Sequence, residues 1–504
     1  MNSPVETLLK QLIQFEKNTS TAVFIQISHQ IIDAIQRGYL TKGTALPGSR
    51  SLSQLLTIHR NTVVAAYDEL TSQGWVEIIP NKGTFVLVPE QKTVSIKAIS
   101  YPKNQNIEYT EKTGFDFKPS FHLASTTENI QTKYTINDGQ PDLRLHPTHQ
   151  FSKWYSASMK RKTVLSKWNQ TSSDTHSVYE KQLCNYLNAT RGFRIKPNNL
   201  ISTRSTEMSL YIVSQLILQP SDVVLVGNWS NYAANMIFQQ VGASIRTIPI
   251  DENGLDIDYI RKNYIKKSIR CVYACAHRHY PTTNTLSAQR RLELLELAQE
   301  YEFAIIEDDF DYDFQFEGSA MLPMASSDAN GNVIYLGKLG QSFFPSFQTG
   351  FVVAPTTLIT EAKNYLQMLD KQGDVIQEQM LSELIYEGEI HRLIKKNIIN
   401  YKQRRDFLCD RLLYYFKETV QWKKPTGGLA IWIEFEPKIS LVQLAEEAQK
   451  NDLLLPKTIL YQNKSTCAIR FGFGHLNEEE IEIVLKKFKQ AYEAITKNNL
   501  IILI

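Results

Sequence analysis

Apolar positions recur at helical spacing from Phe24 to Ile35, in the text FIQISHQIIDAI, and the run stops near Gly38. Leu46-Pro47-Gly48-Ser49 then supplies a turn and a cap. Ser51 to Leu56 predicts a short helix with Leu52, Leu55 and Leu56 on one side. Thr57-Ile58-His59 is a tight turn, and Arg60-Asn61-Thr62 opens a second helix that runs through Tyr67 and Leu70 to Gly74. Trp75–Ile79 and Thr84–Val88 alternate as strands around a hairpin tip at Pro80-Asn81-Lys82-Gly83. Beyond residue 130 the pattern changes. Continuous apolar runs at Val223–Val226, Cys271–Ala274, Ala304–Ile306 and Val333–Leu336 predict buried strands, with helical stretches such as Ser287–Tyr301 between some of them. A last segment, about 395–499, mixes helices with strands at Leu429–Phe435 and Thr466–Phe471 and predicts an α+β subdomain.

The order helix, helix, turn, helix, hairpin is that of a winged helix-turn-helix, and it fills residues 1–90. Residues 91–130 carry Pro102, Pro119, scattered lysines and polar residues without a period, and are expected to be a linker. Residues 131–504 are expected to form a large α/β domain. A chain of 504 residues exceeds one ordinary core, so several domains are expected on length alone. With 42% hydrophobic and 21% charged residues it is neither disordered nor fibrous. The net charge of +3 is too small to indicate nucleic acid by bulk attraction, so a nucleic-acid site must be a local patch. Residues 1–90 make the same point, since their acidic and basic residues balance.

Five cysteines, Cys184, Cys271, Cys275, Cys409 and Cys467, form no metal-ligand spacing, so no metal site is expected. Cys271 and Cys275 share one apolar run and are expected to be buried thiols rather than a redox pair. The start of the chain has acidic residues where a secretion signal needs basic ones, and no apolar run is long enough to span a bilayer. A soluble, cytoplasmic protein without a membrane partner is expected.

The text LPGSRSLSQLLTIHRNTVVAAYDELTSQGWVEIIPNKGTFV resembles the GntR family of winged-helix regulators. That family has Leu-Pro-Ser-x-Arg, a short helix, Ser-Arg-x-Thr-Val, a second helix and a Gly-x-Gly-Thr-Phe wing. The resemblance implies double-stranded DNA as partner. Arg60, Asn61 and Thr62 would meet base edges and phosphates at the start of the second helix, and Ser49 and Arg50 would hold phosphate. Lys82, Gly83 and Thr84 would form the wing that approaches the adjacent groove. The plainer alternative is that Arg50, Arg60 and Lys82 are solvated surface charges.

The rest of the chain is similar to fold-type I aminotransferases, and together with the head it resembles the MocR/GabR subfamily. The matching text is DGQPDLRLHP, YLNATRGF, AHRHYPTTNTLSAQRRLELLELA, IIEDDFDYDF, NVIYLGKLGQSFFPSFQTGFVVAP, PTGGLAIWIEF and AIRFGF. The fold implied is a large α/β domain with a C-terminal α+β subdomain, and the assembly implied is a homodimer. The chemistry implied is that of pyridoxal phosphate, in which a carboxylate pairs with the ring nitrogen and a lysine forms the Schiff base. Asp308 stands at the carboxylate's position, though an acid at a strand end also caps helices. Arg470 stands where the family clamps a substrate carboxylate, with a structural ion pair as the alternative.

At the lysine the resemblance breaks. Aligned on Gly337, Pro345 and Gly350, the Schiff-base position holds Gln341, and the arginine expected near the phosphate is Gln348. An amide cannot form an imine. Phe310 replaces a tyrosine, and the phosphate-cradling glycine text becomes Ser202-Thr203-Arg204-Ser205, where Arg204 could supply charge instead. Trp229 or Tyr232 could stack on a ring, and Tyr280 belongs either to the pocket or to the core. Lys338, three residues before Gln341, is an alternative imine former, and it or another lysine would carry the competing reading of a working aminotransferase. The expectation is a regulator whose body dimerises and senses a small molecule, an amino acid or a pyridoxal phosphate-like ligand, with no catalysis and with pyridoxal phosphate either non-covalent or absent.

Overall fold

The computed structural model describes the chain except residues 1–2, 17–20, 81, 88–110, 121–122, 124–131, 162–176, 320, 342–348, 371–372, 418 and 503–504, and the side chains after 496. It divides into two units, Met1–Phe117 and Lys118–Ile504. Most of the segment expected to be a linker lies outside the described residues.

The first unit begins with a helix that the apolar pattern alone did not indicate, α1 (Pro4–Leu12). Its signal is a capping box: the Ser3 hydroxyl accepts from the Glu6 amide, and Glu6 accepts from the Ser3 amide at 2.8 Å, with Pro4 in the first turn. Helices α2 (Val23–Gln36), α3 (Ser49–Leu56) and α4 (Arg60–Ser72) follow. A three-stranded sheet is built from β1 (Ala45–Leu46), β2 (Val76–Ile79) and β3 (Gly83–Val86), with β3 central. Helix α3 starts two residues before the expected Ser51 because Gly48 serves as its cap. Leu9, Ile27, Ile31, Leu52, Val63, Leu70 and Val76 form one core. The Tyr67 hydroxyl donates to the Pro47 carbonyl at 2.6 Å, tying α4 to the turn that precedes α3.

In the second unit the four predicted apolar runs occupy the middle of a seven-stranded sheet. Ahead of it, β4 (Tyr134–Thr135) pairs elsewhere. The sheet strands are β5 (Leu200–Thr203), β6 (Val223–Gly227), β7 (Ser244–Ile248), β10 (Cys271–Ala274), β11 (Ala304–Asp309), β12 (Val333–Leu339) and β13 (Thr349–Val353). A small hairpin, β8 (Ile250–Asp251) and β9 (Gly254–Leu255), falls between. Their order is β5-β13-β12-β11-β10-β6-β7. Only β13 runs antiparallel to its neighbours β12 and β5. Buried on both faces, these strands need no alternation, which is why they stood out as unbroken apolar runs.

A second sheet, order β14-β15-β18-β17, consists of β14 (Gln421–Trp422), β15 (Ala430–Glu434), β17 (Leu460–Gln462) and β18 (Cys467–Gly472). The short β16 (Leu453–Leu454) pairs with β4. The helices Glu389–Phe416 and Glu478–Ile502 contribute Leu408, Leu412, Ile481 and Phe488 to the core that this sheet covers. All five cysteines are buried and free. Among the described residues no helix is long and apolar enough to cross a membrane.

Candidate nucleic-acid interface and ligand pocket

In the first unit, His59 leaves the start of α4 without a side-chain cap, and Arg60 and Asn61 are exposed there with Thr62 half-buried. An uncapped helix start is a ready anion site. Arg60 Nε donates to Ser49 Oγ at 3.2 Å, so the two helix starts meet, with Arg50 exposed beside them. Lys82 and Gly83 are exposed at the turn between β2 and β3, where Gly83 adopts φ +124, a conformation that glycine tolerates best. Thr84 differs from the expectation: it is buried, paired with Leu46 and Ile78, and supports the wing from within.

In the second unit, strand alternation sorts the acids of the EDDFDYD text. Glu307 and Asp309 face one side. Glu307 accepts from the Met324 and Ala325 amides, and Asp309 from the Tyr335 hydroxyl at 2.8 Å. Ile306 and Asp308 face the other side, where Ile306 packs with Ile334 and Leu336. Asp308 Oδ2 accepts from the Tyr273 hydroxyl at 2.5 Å, while its buried Oδ1 has no hydrogen-bond partner among the described residues. Burial pushes the Asp308 carboxyl up to about 6, with Tyr273 and the charge of Lys338 opposing the rise.

Two residues past Leu336 on β12, Lys338 falls on the same face. Its ammonium stands 5.9 Å from the centre of the Phe310 ring and makes no hydrogen bond or ion pair among the described residues. Burial lowers its pKa, and the charge of Asp308 opposes that. Gln341, two residues beyond β12, holds a buried Oε1 without a partner among the described residues, and with Lys338, Arg191 and Asp309 it borders a cavity of about 10 Å³. Gln348 lies outside the described residues.

Lys338 pairs in register with Gly350 on β13. A Cβ at Gly350 would sit 2.4 Å from the Ser205 carbonyl carbon, so the glycine allows the start of the Thr206–Ile217 helix to rest on this face. Arg204, just before that helix, is exposed and held by Asp370 at 2.6 Å, which directs its charge to another acid. The Thr206 hydroxyl is buried there without a partner among the described residues.

Tyr280 meets the Phe310 ring edge-on at 6.0 Å. Arg470 is buried against both, 4.7 Å from the centre of the Tyr280 ring and 6.0 Å from that of Phe310. Its Nε donates to the Asp138 carbonyl and its Nη1 to the Pro281 carbonyl, each at 2.8 Å. Trp229 turns elsewhere: it packs edge-on against Tyr461, beside Trp432, and lines a cleft of about 740 Å³ with Trp422, Lys423 and Asn284. Tyr232 is exposed at the first turn of the next helix. The structure thus gathers Asp308, Phe310, Lys338, Tyr280 and Arg470, leaves Trp229 and Tyr232 beyond Tyr461 and Tyr280 rather than beside Asp308, and turns Arg204 to Asp370. Sequence reasoning missed Tyr273, the residue that fixes Asp308. Its signal was a hydroxyl-bearing residue within one of the predicted apolar strands.

The sequence model described as "Bacterial regulatory proteins, gntR family" matches residues 25–86. The HTH-type transcriptional regulator YisV of Bacillus subtilis is 24% identical over 463 residues, covering 92% of this chain and 94% of that protein. The probable rhizopine catabolism regulatory protein MocR of Rhizobium meliloti is 23% identical over 414 residues, 80% of each chain. In fold, the second unit matches the multiple substrate aminotransferase of Thermococcus profundus, with TM-score 0.68 at 22% identity, covering 76% of this chain and 98% of that one. A gntR-type head followed by an aminotransferase fold, in one chain that an HTH-type transcriptional regulator and a MocR regulatory protein match along most of its length, supports a MocR-like GntR transcription regulator.

Proposed function

We propose that this DNA-binding regulator uses its aminotransferase-like body as a dimerisation and ligand-sensing module that holds no covalent cofactor. The observation that carries the reading is Gln341, an amide at the position where an imine-forming amine is required. The pocket fits pyridoxal phosphate poorly as a covalent group. Asp308 offers a free carboxylate oxygen suited to a ring nitrogen, but Phe310 has no hydroxyl to give and Arg204 is engaged by Asp370. No reaction step is therefore assigned to it. At the head, Arg60, Asn61 and Thr62 read base edges, Ser49 and Arg50 take phosphate, and Lys82 and Gly83 bring the wing to the adjacent groove. A homodimer would present two such heads to two half-sites, and a ligand acts by preferring one arrangement of heads over another.

Two experiments test this. Selection from a randomised duplex library is expected to enrich a site with two half-sites, and no enrichment would sink the DNA-reading claim. Incubation with pyridoxal phosphate, borohydride reduction and intact mass are expected to show no stoichiometric adduct. The competing reading, an aminotransferase working through Lys338, is favoured by that residue's amine on the Asp308 face, which makes no hydrogen bond or ion pair among the described residues. An adduct mapping to Lys338, with turnover of an amino donor and 2-oxoglutarate, would establish it.

A further inference from the structure

We propose that Val64, on the helix that opens with Arg60, reads thymine in the recognised duplex by packing on its 5-methyl group in the major groove. The inference rests on the reading of the head as a DNA reader, and adds the residue that fixes a T·A pair in each half-site. One side of α4 is spent on the core, where Val63, Ala66, Tyr67 and Leu70 are buried. The other side is open. Val64 stands on it, 37% exposed, the one large apolar side chain among the described residues of α4 left so open. Residues three and four apart on a helix are neighbours, so Val64 follows Asn61 and Arg60 along one face.

An exposed valine is ordinary by itself; its company gives this one a task. Arginine suits the O6 and N7 of guanine and asparagine the N6 and N7 of adenine, whereas thymine shows the major groove a methyl group that an apolar side chain meets best. The Val64 side chain neither donates nor accepts, so it adds nothing at a phosphate. Being β-branched, it holds one χ1 rotamer in a helix and presents its methyls with little entropy left to lose. Neighbours on a helix face are about 5–6 Å apart and base pairs stack at about 3.4 Å, so the thymine falls within about two base pairs of the base that Asn61 contacts. Asp68, one turn further along, is exposed and acidic and repels phosphate, so the readable stretch of the face ends with Val64 and the half-buried Ala65.

The test is binding of the full chain to the duplex enriched from a randomised library, with each thymine replaced in turn by deoxyuridine, which removes the 5-methyl group and leaves the base-pairing edge unchanged. One thymine in each half-site is expected to lose about three- to tenfold in affinity on this replacement, the worth of one buried methyl, and the other thymines less than about twofold. In Val64→Ala the loss at that thymine should shrink below about twofold, and Val64→Thr, which keeps the branching and one methyl, should retain part of it. The uridine scan uses the unaltered chain, so it reads whether or not a variant folds, and melting temperatures check the variants. An enriched site in which no thymine responds to uridine, or a response that persists in full in a folded Val64→Ala, would overturn the role of Val64 while leaving the DNA reading intact. Failure to enrich any site would overturn both.

Discussion

The head and the body of this protein present their polar residues in opposite ways. In the head, Arg50, Arg60, Asn61 and Lys82 stand exposed at helix starts and a hairpin turn, and the core beneath is closed by apolar contacts that do not involve them. In the body, Asp308 and Arg470 are buried, and their states depend on Tyr273, Lys338, Pro281 and Asp138, drawn from distant parts of the chain. A surface site of the first kind is local, so a short text can specify it. A buried site of the second kind is a balance of charges, and replacing one member alters the task of the others.

That contrast breaks hardest at Gly350. Gly350→Ala places a methyl 2.4 Å from the Ser205 carbonyl carbon, and since backbone cannot yield cheaply, a loss of about 3 kcal/mol or more is expected in denaturant unfolding. An unchanged midpoint would show that the helix start moves freely. Asp308→Asn should act in the other direction. Because the folded carboxyl titrates near 6 rather than at its ordinary 3.8, the fold favours its protonated form. The penalty is absent below both values, grows between them, and is full above pH 6. The variant is therefore expected to gain up to about 3 kcal/mol at pH 7.5 and nothing at pH 3.5, read from melts at both pH values. A gain equal at both would assign the effect to packing.

At the head, Arg60→Ala is expected to lose about 1–3 kcal/mol of affinity for the enriched DNA site while the melting temperature stays put. Lys82→Ala should weaken all sequences alike and reduce the salt slope by about one. A coupled loss of stability in either would mean that the head is not organised as described. The smallest effect belongs to Ser3→Ala, which removes the cap of α1 and should cost about 1 kcal/mol in denaturant unfolding.

Much of the architecture was legible in the sequence, for reasons that differ by region. The central strands announced themselves because double burial leaves no polar positions, and the head because its turns demand particular residues. The boundary of α3 and the existence of α1 depended on caps, Gly48 and Ser3, that stand outside the apolar pattern. At the site, residue types were legible, since an amide such as Gln341 cannot itself form an imine. Their partners were not. Arg204 finds Asp370 across 166 residues, and Trp229 turns to Tyr461 rather than to Asp308, pairings that no local period encodes.

The lone antiparallel strand β13 has a consequence for how this gene can vary. It is laddered to β12 on one side and to β5 on the other, and side chains alternate between faces along it. A one-residue deletion within 349–353 would bring Thr349 or Phe351 to the place where Gly350 now meets Ser205. The strand therefore acts as a ruler with a single admissible setting: a substitution there disturbs one buried contact, whereas a length change moves every following side chain to the opposite face.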